Sequence, residues 1–440
     1  MKKERFHNFA PDVRDLVLAF ESQQGGTSRY FDVDEIEVIA DYYLEVYDID
    51  GLEAAVTYGE RLFPTSDSVR LRRANLYSVR GEYPQAMALL KELERTNPAN
   101  TDVCYSLATL YSMTDQSHES IAYYLKAAED GYELDMIYGN IGDEYYKLGN
   151  TDETIRYYQM SIEKNPNEDR SLYNLACTWD EQDKTQEAVT FFTHHVEEHP
   201  YSKGGWYCLG SLYSWLSLYE KSVDAYEYAL AIDATHFDSY LGLSDSYRQL
   251  GNLPKAVQAL RDALPHAGDG RASVLHEIGQ IYLESGNNQT ASVYLHDAIK
   301  ADPSYSIAWE ALGVCSERMG YSDEAAGYYR RAIDLEPDVD EYWLRLADLY
   351  IYQERYAEAC ALLESVRVEA DDPFSFDERL MFCYLKSGRA ERIAALLSRY
   401  GTTAADLCNM LLSQYPEMAK SNEVIQWMNE IQKNDKNIER

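Results

Sequence analysis

Helix breakers are scarce in this chain. Proline occurs 12 times and glycine 23 times in 440 residues, a composition that predicts helices, because proline removes a backbone donor and clashes with the preceding turn. Positive charge is scarce as well. Only 40 Lys and Arg stand against 75 Asp and Glu, for a formal charge of −35. Such a surface repels nucleic-acid phosphates and anionic bilayers, and it favours neutral or basic protein segments as partners. The same repulsion keeps a long chain soluble, as a monomer or a weak homo-oligomer. Nowhere do apolar residues run together for the length of a membrane span. Asp12, Arg14 and Asp15 interrupt the apolar stretch nearest the N-terminus, so no signal peptide is expected. The cysteines Cys104, Cys177, Cys208, Cys315, Cys360, Cys383 and Cys408 are odd in number and never form a CxxC pair. That pattern fits reduced thiols and a cytoplasmic location. No HExxH, phosphate-cradling glycine loop or GxSxG elbow is present, so neither catalysis nor a cofactor is expected.

Tyrosine, by contrast, is abundant at 39 residues, and its placement organises the chain. Tyr43, Tyr77, Tyr111, Tyr145, Trp179, Tyr213, Tyr247, Tyr282, Ser316, Tyr350 and Tyr384 recur at a spacing of 34, with one step of 35 between Tyr247 and Tyr282. Three residues before each stands a small residue (Ala40, Ala74, Ala108, Gly142, Ala176, Gly210, Ser244, Gly279, Gly313, Ala347), except at Met381. Twelve residues after these comes a second small site at Ala86, Ser120, Ala188, Ser222, Ala256, Ala291, Ala325 and Ala359. Small residues on a helical face admit a neighbouring helix, so the two sites are expected to face each other. Between them, Gly81, Gly149, Gly251, Gly286, Gly320 and Gly388 mark a helix stop and a tight turn. Pro98, Pro166, Pro200, Pro303 and Pro337 end the second helix. Each unit therefore reads as helix, turn, helix, turn, with an apolar stripe that only stacking on its neighbours can bury.

The unit from Ser306 to Pro337 carries Trp309, Leu312, Gly313, Gly320, Ala325, Tyr329, Ala332 and Pro337, and in this pattern it resembles a tetratricopeptide repeat, with Ser316 in place of the usual Tyr. The unit from Lys203 keeps Trp206, Leu209, Gly210, Tyr213, Tyr226 and Ala229 of the same pattern. The resemblance runs from about Val33 to about Tyr400. It implies an all-α, right-handed α-solenoid of about eleven such units. More faintly, the chain resembles cytoplasmic repeat proteins of the Bacteroides group. The expected organisation is a tail and capping helix over 1–32 (helix from Pro11 to about Gln23), the repeats over 33–400, and capping helices with a tail over 401–440 (helices Thr403–Ser413 and Asn422–Lys433). Residues 24–30 are expected to be mobile. The second helix of the first unit reads as out of register by about two residues.

The resemblance also implies a binding surface, because in that family the first helices of successive units line the concave face. The positions flanking the core stripe are Asn75, Tyr105, Asn140, Asp143, Tyr146, Lys147, Arg170, Tyr173, Asn174, Tyr207, Trp215, Arg248, His276 and Arg345. The densest cluster, from Tyr105 to Trp215, marks the third to sixth units as a groove for an extended peptide or a helix of a partner. Asn140 and Asn174 occupy one slot in consecutive units and suit a peptide backbone, since an amide both donates and accepts; the bland alternative is solvation or bonding within their own helix. Tyr105, Tyr173 and Tyr207 are candidate platforms for side chains, or else packing between helices. The Lys and Asn constellation with which some of these proteins grip a chaperone's C-terminal carboxylate is missing. Two other readings remain: a self-assembling scaffold joined through its terminal units, and a metal-dependent or catalytic protein. For the latter, His195 and His199 share a helical face near Glu198, but His195 sits in the packing slot that Ala229, Ala263, Ala298 and Ala332 fill elsewhere.

Overall fold

The computed structural model describes residues 10–23, 29–131, 133–366, 373–389 and 391–397. The capping helices expected at Thr403–Ser413 and Asn422–Lys433, Cys408 and most of the stretch expected to be mobile lie outside the described residues. Among the described residues one helix, α1 (Pro11–Gln23), precedes eleven helix pairs. Six pairs lie in a compact unit spanning residues 1–234. They are α2 (Val33–Glu45) with α3 (Ile49–Leu62), α4 (Asp67–Val79) with α5 (Tyr83–Thr96), α6 (Thr101–Met113) with α7 (Ser117–Ala127), α8 (Leu134–Lys147) with α9 (Thr151–Lys164), α10 (Asp169–Glu181) with α11 (Thr185–Glu198), and α12 (Lys203–Trp215) with α13 (Tyr219–Ile232). A second unit, residues 235–440, holds α14 (Phe237–Gln249) with α15 (Leu253–Ala263), α16 (Arg271–Glu284) with α17 (Asn288–Ala301), α18 (Ser306–Arg318) with α19 (Ser322–Leu335), α20 (Asp340–Tyr352) with α21 (Tyr356–Val366), and α22 (Pro373–Lys386) with α23 (Glu391–Leu397). No strand occurs among the described residues.

The period has a backbone cause. The carbonyl of each aromatic-slot residue accepts the N–H five residues on, from Asp48 onto Tyr43 to Arg389 onto Tyr384. This is the six-to-one bond that closes a helix around a left-handed residue. That residue is Tyr47, Gly81, Asp115, Gly149, Asp183, Ser217, Gly251, Gly286, Gly320, Glu354 or Gly388, and every one has positive φ. The glycines of the sequence pattern are thus six instances of a turn that all eleven pairs make. In three pairs one asparagine joins both helices. Asn150, Asn252 and Asn287 each close the first helix through the backbone N–H and cap the second through Oδ1, which keeps the connection short.

Within a pair, the two small sites do face each other. Ser120 Oγ donates to the Ala108 carbonyl at 2.9 Å, and Ser222 Oγ donates to the Gly210 carbonyl at 2.8 Å. Where the first site is glycine, a large side chain sixteen residues later lies over it: Tyr158 over Gly142, Tyr226 over Gly210, Leu295 over Gly279 and Tyr329 over Gly313. Prolines that end a second helix also offer a carbonyl to the next unit, which Trp206, Trp309 and Trp343 take with their indole N–H at 2.8–3.0 Å. One expectation is corrected. The first unit's second helix, α3, begins at Ile49, 34 residues before α5 begins at Tyr83, so it is in register. The misreading arose because Leu52, rather than a small residue, fills the second small site.

Candidate functional site

Between α8 and α10 the first helices of neighbouring repeats touch only sparsely, whereas α10 and α12 pack directly. The separation opens a cleft of about 530 Å³. On α8, Gly139 admits the start of α10, since a Cβ there would lie 2.9 Å from Ser171 Oγ and 3.0 Å from Arg170 Nη2. Of the residues nominated from sequence, Asn140, Asp143, Tyr146, Lys147, Arg170 and Asn174 line this cleft.

Most of these groups already hold one another. Asn140 donates to Tyr105 Oη at 3.1 Å and accepts from Arg170 Nη2 at 2.8 Å. Arg170 also pairs with Asp143 at 3.2 Å, and Asp143 accepts from Tyr158 Oη at 2.7 Å and from Asn174 Nδ2 at 3.1 Å. Across the mouth, Tyr146 donates to Glu181 at 2.9 Å, a bond that raises the phenol pKa. The network fixes α8 against α10 with charge-assisted bonds, which are stronger than neutral ones. Burial pushes the Cys177 thiol up, so it stays protonated at neutral pH rather than acting as a thiolate nucleophile.

Beside the cleft the ring of Tyr173 stacks on that of Tyr207, with centroids 6.3 Å apart. Tyr173 remains 46% exposed, so its outer surface is open to a partner. Tyr105 stands behind Asn140, edge-on to Tyr124 at 5.5 Å. Trp215, at the end of α12 and 43% exposed, is not brought to the cleft. Asn75 lies on α4. In the second unit Arg248 and His276 line a separate hollow with Asp245 and Glu277, and Arg345 pairs with Glu310 at 3.3 Å.

The reading from sequence missed Glu144. It lies one residue before the aromatic slot, where the other repeats hold Tyr42, Leu76, Leu110, Thr178, Leu212, Ser246, Ile281, Cys315, Leu349 and Cys383, all buried. A carboxylate in this core slot of one repeat alone was a visible signal. The side chain is 2% exposed. Its Oε1 accepts from Lys147 Nζ at 2.7 Å and from Ser112 Oγ at 2.5 Å, while Oε2 has no hydrogen-bond partner. Burial pushes the carboxyl up, but Lys147, Ser112 and, at longer range, Ser117 outweigh it and hold the pKa below the ordinary value. Glu144 is therefore ionised at neutral pH.

The histidine pair reads as structure. His195 is 5% exposed, and its Nε2 lies 3.1 Å from both the Pro166 carbonyl and Ser202 Oγ. Gly205 leaves room for the ring, since a Cβ there would come within 2.7 Å of it. No cluster of three metal-ligating side chains occurs among the described residues.

Geometry defines the class: stacked two-helix units, each closed by the same left-handed turn, form an α-solenoid. A family model described as tetratricopeptide repeat matches residues 210–272, 276–334 and 317–375, and a second matches 137–168. The chain carries tetratricopeptide repeats, which typically mediate contacts between proteins and are typically non-catalytic. It is similar to human Tetratricopeptide repeat protein 7A, 29% identical over 86 residues, covering 20% of this chain and 10% of that protein. It is also similar to Drosophila melanogaster Protein O-mannosyl-transferase Tmtc1, 32% identical over 131 residues, covering 29% of this chain and 15% of that protein. The chain thus spans a small part of the length of these relatives. A solved structure of the APC/C hetero-tetramer Cut9-Hcn1 aligns over 96% of both chains with 14% identity and a TM-score of 0.37. No described helix is long and apolar enough to cross a membrane.

Proposed function

We propose that this protein is a non-enzymatic adaptor that holds an extended peptide or a helix of a partner protein in the groove formed by α6, α8, α10 and α12. The observation that carries this reading is the convergence of Asn140, Asp143, Tyr146, Lys147, Arg170 and Asn174 on one cleft. The Tyr173–Tyr207 stack continues it as a flat apolar platform, and aromatic anchors supply much of an interface's energy. Asn140 is held by Tyr105 and Arg170, so Asn174, whose Oδ1 makes no bond, is the amide better placed to meet a peptide N–H. The net charge of −35 favours a neutral or basic segment. The fainter likeness to cytoplasmic repeat proteins of the Bacteroides group fits an intracellular adaptor and supplies no activity of its own.

Selection of random dodecapeptides on the immobilised full-length chain tests the proposal. Peptides so selected should bind the Tyr173→Ala/Asn174→Ala variant more weakly by about 2–4 kcal/mol, the loss typical of removing central anchors. Full affinity in that variant would remove the groove from the account.

A further inference from the structure

The charges that line the cleft do not balance. Three carboxylates, Asp143, Glu144 and Glu181, stand against two cations, Lys147 and Arg170. Both cations are committed: Arg170 meets Asp143 at 3.2 Å, and Lys147 meets Glu144 at 2.7 Å. The Glu181 side chain keeps a single partner among the described residues, and that partner is neutral. It is the phenol of Tyr146, whose one O–H lies 2.9 Å from Oε1 and 3.0 Å from Oε2.

This pair is open to solvent. Glu181 is exposed, and Tyr146 keeps 49% of its surface accessible. An ionised carboxylate offers about four lone-pair sites, and one O–H leaves most of them to water or to a partner. The bond to Glu181 and the carboxylate's charge hold the Tyr146 phenol pKa up, so the ring stays neutral and the link across the mouth persists at neutral pH. An accessible aromatic face beside a carboxylate without a counter-charge suits a cation, which the ring attracts and the carboxylate accepts from. Of the two basic side chains a guanidinium fits better. It is planar, it stacks on aromatic faces, and its five N–H groups let it reach the carboxylate while it stays against the ring.

We propose that an arginine side chain of the bound peptide docks at the mouth of the cleft, its guanidinium against the Tyr146 ring and donating to Glu181. The inference rests on reading the groove as a peptide site and specifies the residue that meets its mouth. With that arginine in place, each of the three cleft carboxylates has a cation.

The dodecapeptide selection, repeated on Glu181→Gln and on the Tyr146→Leu/Glu181→Gln double variant, provides the test. Glu181→Gln keeps an acceptor for the phenol and removes only the charge, and both positions lie at the surface, so thermal midpoints should stay near that of wild type. Wild-type selections should enrich arginine at one position, and selections on the double variant should not. Replacing that arginine by citrulline, which keeps the shape and removes the charge, should weaken binding to wild type about ten-fold and binding to Glu181→Gln about three-fold, with little change in the double variant. Such a graded loss is expected when an exposed ion pair and a cation–π contact contribute separately, and the wild-type loss should shrink as salt rises. An equal loss in all three proteins would place the arginine elsewhere and overturn the inference. Selected peptides that depend on Tyr173 and Asn174 but show no arginine preference would also overturn it and leave the groove standing. Peptides indifferent to both sets of variants, or selections that enrich nothing, would overturn both.

Discussion

A Cβ placed on Gly313 would lie 2.3 Å from the ring of Tyr329, sixteen residues further along. Elsewhere the same pair of positions is Ala74 with Leu90 or Ala347 with Leu363, all fully buried. At Gly313 the tyrosine ring takes the space that alanine's methyl group fills in those two repeats. Gly313→Ala should cost about 1–3 kcal/mol by overpacking. Gly313→Ala combined with Tyr329→Leu should recover much of that loss by reproducing the pairing found in the other repeats. Calorimetry of the two variants checks this; equal loss in both would mean that the contact is not what limits the site.

The left-handed turn makes a second prediction. Ser217 and Gly251 occupy the same turn position, with φ of 57° and 71°. A left-handed conformation costs a side-chain-bearing residue about 1–2 kcal/mol, partly offset by glycine's larger loss of chain entropy. Ser217→Gly should stabilise by about 0.5–1 kcal/mol, and Gly251→Ala should destabilise by a similar amount although nothing lies within 4 Å of its Cβ position. Urea midpoints of the two variants moving in the same direction would contradict the assignment.

The helix pairs were legible because their determinants are local and repeated. The aromatic slot, the small sites and the turn glycines each recur through the chain, so a single period exposes them together. The turns at Tyr47, Asp115, Asp183, Ser217 and Glu354 have no glycine to announce them, and they appear only once the backbone is seen. The cleft was legible in part. Its lining follows from the first-helix face, but the pairing of Asn140 with Tyr105 and Arg170 depends on how far α8 stands from α10, a distance that no residue spacing encodes. Glu144 escaped for a different reason: attention to positions flanking the core stripe passed over the stripe itself.

Acid should weaken the fold through its buried imidazoles. Burial lowers the pKa of His195 and of His276 from 6.5 to about 4. The unfolded chain therefore binds more protons than the folded one between those values. Stability is complete above pH 6.5 and declines as pH falls towards 4. For His195 alone the loss between pH 7 and pH 5 is about 2 kcal/mol. His195→Ala installs the residue of the equivalent slots and leaves Ser202 bonded to the Pro166 carbonyl. Its urea midpoint should change less than wild type between pH 7 and pH 5, and an unchanged pH dependence would show that His195 does not titrate as its burial implies.

The central claim is the location of the groove, and amide hydrogen exchange of the full chain with and without a selected peptide tests it most directly. The account predicts slower exchange in residues 134–147 and 169–181, the two helices that wall the cleft, with weaker protection reaching the helices of Tyr105 and Tyr207. Protection confined to the second helices of these repeats, or to residues 235–440, with α8 and α10 unchanged, would contradict it.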